Sequence, residues 1–219
     1  MKIIKNKFIK DEEELKNKIN QLDKIANLYL LKIEELYMED LYFMSVIDKS
    51  IKLIDSFLFA MDKRNITVLA TLARVHIDCV IRAFATTLVK DSGEFCKNVL
   101  IDKKRIDTIT DINGNKLKDC YLCELLGEYL KLPVYDLYKK VCSFVHFSSD
   151  SFNNIAKASG EYDIEMFISR KNRVEDEKEF ERLSIELANQ FLFFGLILIE
   201  DIFASWLQQK EQWKKDESK

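Results

Sequence analysis

The chain has 219 residues, with 34 lysines and arginines against 37 aspartates and glutamates, and a formal net charge of −3. That balance lacks the basic excess on which duplex binding draws, and 47% hydrophobic with 32% charged residues excludes a disordered chain. One proline and five glycines predict long uninterrupted helices, in a chain long enough to bury one sizeable core.

Residues 1–14 carry positive charge but no apolar run, so no secretory leader is expected. Asp11 ahead of Glu12, Glu13 and Glu14 marks a helix start, with acid at the positive end of the helix dipole. Leu15, Ile19, Leu22, Ala26, Tyr29, Ile33 and Leu36 recur at helical spacing as one stripe. The phase weakens at Met38-Glu39-Asp40, and Ile47, Ile51, Ile54, Leu58 and Met61 make a second stripe. Over about 11–63 the two stripes form either an antiparallel hairpin or one kinked rod.

The run from Asp62 to Asn65 breaks the pattern, and Asn65 caps a helix over 66–89. This helix is apolar nearly all round, which predicts a position in the middle of a bundle. Arg74, His76, Asp78 and Arg82 make a membrane span there expensive. A short helix follows near 92–101 with Ser92 at its start, and 102–117 is the least helical stretch, with Asn113-Gly114 as a turn. Asp119 opens a helix to Leu130, and Pro133 opens the next, from Val134 to about Phe147. Within an insert at about 148–173, Tyr162, Ile164, Met166 and Ile168 alternate with Asp163, Glu165 and Phe167. They predict a short strand paired with 153–158 across Ser159-Gly160. The last helix, about 175–209, carries the stripe Phe180, Leu183, Leu187, Phe191, Phe194, Leu198 and Ile202, and the charged tail from Lys210 is expected to fray. The expectation is an all-α fold: a helical bundle of about six to seven helices with a small hairpin or irregular insert, in one domain over 1–219.

Chemistry has few footholds. With only His76 and His146, neither three residues after a glutamate, the di-iron bundle signature is missing, as are HExxH, a Gly-rich phosphate loop and GxSxG. Cys120 and Cys123 form a C-x-x-C without two further ligands or a preceding strand, so they read as helix packing, and no cofactor or metal is implied. Five scattered cysteines suit a reducing, cytoplasmic setting. The informative feature is Arg74, Asp78 and Arg82, spaced by four on one face of the apolar helix. Buried there, they must be paired, and Glu200 and Asp201 in the last helix are the expected partners. The face reads as a structural ion network or as a site, since perturbed charges gather at both. His146 ends the helix from Tyr135, with Ser143 one turn and Lys139 two turns before it, and reads either as a dipole-stabilised cation or as a general acid/base.

The segment carrying Tyr135, Leu137, Tyr138, Lys139, Ser143, Val145, His146, Phe147 and Ser148, preceded by an Arg/acid helix over Leu72–Arg82, resembles uncharacterised bacterial helical proteins distantly similar to HEPN domains. That resemblance implies a small helical bundle that dimerises. In some members it implies metal-independent ribonuclease activity in toxin–antitoxin, abortive-infection or CRISPR-associated systems. The active signature places an arginine shortly before the histidine; here Lys139, Lys140 and Val141 fill that window, and lysine lacks the planar fork that grips phosphate. Two expectations follow. One is a HEPN-like interaction or regulatory protein that self-associates or binds a protein partner, in a phage-defence or toxin–antitoxin setting and without a membrane role. The other is a nucleotide-acting enzyme on RNA, in which His146, Ser143, Asp78 and an arginine, Arg74 or Arg82, converge in one cleft.

Overall fold

The computed structural model describes residues 8–145, 156–158, 163–166 and 177–217. Helix starts follow the caps written into the chain. The Asp11 carboxylate accepts from the Glu14 N–H at 2.7 Å and opens α1 (Glu12–Ile19). The expected single helix over 11–36 is two. At Asn20-Gln21 the Gln21 N–H bonds to the Lys18 carbonyl, three residues back instead of four, and α2 (Leu22–Leu30) starts on a bent axis. The bend keeps Leu15, Ile19, Leu22 and Ala26 on one buried face. Past Leu30 the chain leaves the helix, and Leu36, the last member of the stripe, is exposed.

Helix α3 (Met38–Asp62) then runs back, because Lys16 near the start of the chain meets Asp62 at the end of α3 at 2.7 Å. The antiparallel hairpin is therefore the arrangement that forms. Asn65 caps α4 (Ile66–Ala85) by accepting from the Val68 N–H at 3.1 Å. Helix α4 is the axis of the bundle, packed on α3, on the helices over 119–130 and 134–145, and on the C-terminal segment over 177–203. Leu69, Ala73, Ile77, Val80 and Ile81 are sealed within the core. It stops at Ala85, short of 89, where the Thr86 and Thr87 hydroxyls bond back to the Ala83 and Phe84 carbonyls at 2.8 Å and turn the chain.

Helix α5 (Ser92–Leu100) starts at Ser92 as expected, with Asp91 as its cap, accepting from the Glu94 N–H at 2.8 Å. The Asn113-Gly114 turn is present, with Gly114 at φ +85° and the Asp111 carboxylate bonding the Asn113 and Asn115 N–H groups at 2.9 and 2.7 Å. Helices α6 (Asp119–Leu130) and α7 (Val134–Val145) flank Pro133 as expected. Between them Lys131 takes the left-handed conformation and the Leu132 N–H bonds to the Gly127 carbonyl at 3.0 Å. In the insert, β1 (Ala156–Ala158) and β2 (Ile164–Met166) pair antiparallel, Lys157 opposite Glu165.

The C-terminal rod comprises α8 (Glu177–Leu196), a π-helical stretch (Ile197–Phe203) and α9 (Ala204–Glu217). Phe57 on α3 packs on Phe191, and Phe43 on Phe203, so the rod runs antiparallel to α3. The rod does not fray at Lys210. The Lys210 side chain is 5% exposed and its ammonium bonds to fully buried Asp40 at 2.5 Å and to the Glu35 carbonyl. Asp40 also accepts from the Trp206 indole N–H at 2.7 Å and from the Tyr37 N–H at 2.8 Å, so every side of this buried carboxylate is engaged. By length and composition the rod is apolar enough to cross a membrane, but 67% of its most apolar window is buried in the bundle, as in the core helix of a folded domain.

Candidate functional site

The spacing of Arg74, Asp78 and Arg82 places them on the face of α4 that meets α6 and α7. Arg74 donates to Asp78 on its own helix and to the Tyr138 hydroxyl from α7, whose ring it covers with the guanidinium carbon 4.7 Å from the centroid. Asp119, from the first turn of α6, closes the group. Its carboxylate lies 3.6 Å from Arg74 and 3.3 Å from Arg82, and accepts from the Tyr138 hydroxyl at 3.0 Å.

Glu200 and Asp201 are not the arginines' partners: Glu200 is exposed, and the carboxylates that meet Arg74 and Arg82 are Asp78 and Asp119. The physical reason is phase. The face of α4 that carries the arginines turns toward α6 and α7, while His76, from another face, stacks on Phe191 of the C-terminal rod. Asp119 was legible as a helix start, and its second use as a counter-ion depended on how α6 docks.

The cluster balances two guanidinium groups with two carboxylates and is only partly open: the Arg74 and Asp78 side chains are 19% and 15% exposed, those of Arg82 and Asp119 34% and 33%. The buried Asp78 Oδ1 has no hydrogen-bond partner among the described residues. Burial, incompletely offset by Arg74 and Arg82, raises the Asp78 carboxyl above its ordinary range. Burial likewise raises the Tyr138 phenol, so the hydroxyl stays protonated and donates to Asp119. Ser143 lies on α7 and turns its hydroxyl onto the Lys140 carbonyl at 2.8 Å. His146 and the residues that follow it to 155 lie outside the described residues.

His76 is sealed inside the bundle. Its Nε2 is 2.6 Å from the Ser50 hydroxyl, its ring stacks on Phe191 at 3.9 Å between centroids, and its Nδ1 has no partner among the described residues. Burial pushes its pKa from 6.5 down to about 3, so it is neutral and structural. Cys123 of the C-x-x-C is buried, Cys120 is exposed, and no group of three potential metal ligands occurs among the described residues.

A second feature has no counterpart in the sequence reading beyond the weak phase at Glu39. A cleft of about 660 Å³ opens between the start of α3, the start of α5 and the C-terminal rod. Tyr37, Trp206 and Trp213 line it, and Glu39 lies in its wall. Glu39 is 5% exposed; its Oε1 accepts from the Ser92 hydroxyl at 2.6 Å, and it joins no ion pair among the described residues. No protein-family model, curated protein or solved structure matches the chain.

Proposed function

We propose that this protein is a helical interaction protein that self-associates, with the arginine face of α4 serving the fold and not phosphate chemistry. The observation that carries this reading is the apolar corner between α2 and α3. Leu28, Leu31 and Leu36 are 64%, 82% and 65% exposed, and Leu41 and Met44 at the start of α3 are 41% and 39% exposed. Monomers rarely leave so many large apolar side chains to water in one short stretch, because covering them is favourable by roughly 25 cal/mol per Å². The arginine face supports the other half of the reading. Arg74 and Arg82 already hold carboxylates, so a phosphate would have to displace Asp78 or Asp119 to reach them.

Two measurements test it. Light scattering over a range of protein concentration should show the mass rising from one chain toward two, and Leu31→Glu with Leu36→Glu should hold the chain at one. A wild-type protein that stays monomeric throughout would remove the self-association reading. Incubated with RNA, the purified protein should leave the substrate intact. Cleavage that disappears in His146→Ala would replace this reading with the ribonuclease one suggested by the HEPN-like resemblance.

A further inference from the structure

Buried carboxylates are nearly always paired with a cation, since removing a charge from water without a partner is costly. Asp40 obeys this rule through Lys210, and its neighbour Glu39 does not. Glu39 Oε1 takes one hydrogen bond, from Ser92, and Oε2 has no donor among the described residues. The position itself is organised. Gly93 lies in the first turn of α5, and a side chain there would begin 3.4 Å from Glu39 Oε1 and 3.7 Å from Oε2. The carboxylate thus rests over a helix N-terminus, a favourable place for negative charge, and its free oxygen is left to the cleft.

The walls suit a cation as well. Trp206 and Trp213 meet edge to face with centroids 5.4 Å apart, and Tyr37 meets Trp206 in the same way at 6.4 Å. The Lys210 ammonium already lies over the Tyr37 ring, 4.8 Å from its centroid, and Phe43 stacks on buried Trp206, so the most exposed of the three rings is Trp213, 38% exposed, which can set π-electron density against an alkylammonium head. The cleft carries two carboxylates, Glu39 and Asp91, against one ammonium, Lys90, which is exposed. Its volume of about 660 Å³ is that of a small-molecule site. The π-helical stretch ends immediately before Ala204 and sets the phase from which Trp206 reaches the cleft. We infer that this cleft binds a small organic cation, an alkylammonium whose charge meets Glu39 and whose alkyl groups pack on Trp213 beside Trp206.

Trp206 and Trp213 are the chain's only two tryptophans, so indole emission reports directly on the cleft. The full chain is titrated with tetramethylammonium, choline and spermidine at constant ionic strength, with sodium chloride as the control. A saturable change in emission is expected with at least one organic cation and none with sodium. Choline against spermidine separates a quaternary head from a primary amine. Glu39→Gln keeps an acceptor for Ser92 but loses the charge, and should weaken binding by roughly ten- to a hundredfold, the scale of one ion pair in a partly buried site. Trp213→Leu, at the rim, should also weaken binding, read through Trp206, and it tests the site should Glu39→Gln fail to fold. No saturable response to any of the three cations would overturn the inference, as would affinity unchanged in both folded variants.

Discussion

At the scale of single residues, Asp78 carries the clearest energetic prediction. It is the ion-pair partner of Arg74 on the same helix, and Asp78→Ala would leave Arg74 with Tyr138 and a more distant Asp119. Breaking a fully buried pair costs about 3–5 kcal/mol, and partial exposure here lowers the expectation to about 1–3 kcal/mol, measured by urea unfolding. Gly127→Ala should be comparably damaging. A Cβ at that position would begin 2.7 Å from the Leu132 carbonyl oxygen, which is backbone and cannot swing away. His76 gives a pH dependence. Its folded-state pKa of about 3 lies below its ordinary 6.5, so the unfolded chain binds the proton first and stability falls as pH drops from about 6.5 toward 3. The slope approaches about 1.4 kcal/mol per pH unit, and Asp78, whose carboxyl is raised, acts in the opposite sense at the acidic end. The His76 part is isolated as the difference between the wild type and His76→Asn, whose stability should depend less on pH over that window. Equal slopes would place the acid sensitivity elsewhere.

Among the elements, the C-terminal rod differs most from its expected form. Lys210 opens a charged run, and charged runs at chain ends usually fray. Here α9 continues to Glu217, held at Asp40 and by Lys214 against Glu34 at 3.2 Å. Lys210→Met would strand Asp40 with only neutral donors, the Trp206 indole and the Tyr37 N–H. It should destabilise by about 2–4 kcal/mol and quench or shift the tryptophan emission, since Trp206 shares the carboxylate. Unaltered emission together with unaltered stability would mean that the rod is held without this contact. Helices α1 and α2 differ in a milder way: the stripe holds as far as Ile33, which still packs against the core, and the tightened turn leaves no mark in the sequence because it keeps the apolar phase nearly intact.

Across the whole molecule, all five cysteines are free, and three of them, Cys79, Cys96 and Cys123, are buried. Burial raises Cys79 to about 11 and Cys96 and Cys123 to about 12, so their thiolates are scarce at neutral pH. Maleimide on the native protein should therefore label exposed Cys120 first and half-buried Cys142 more slowly, while the other three react only on global opening. Mass spectrometry over time checks the order. Early modification of Cys123 would mean that the α4–α6–α7 side opens independently of the rest.

The amino-acid sequence by itself determined that the chain is a helical bundle, where most helices begin, that α4 is its axis, and that Arg74, Asp78 and Arg82 share a face. These are consequences of period, caps and scarce glycine and proline, all of which act within a few residues of chain. It did not determine which carboxylates meet the arginines, that Asp40 and Lys210 pair across 170 residues, or that Glu39 and two tryptophans border one cleft. Those depend on the angles at which helices cross and on the phase added by the π-helical stretch. Such quantities are fixed only when the whole core packs at once. The helical domain was therefore legible from its periodicity, and its candidate sites were decided by docking.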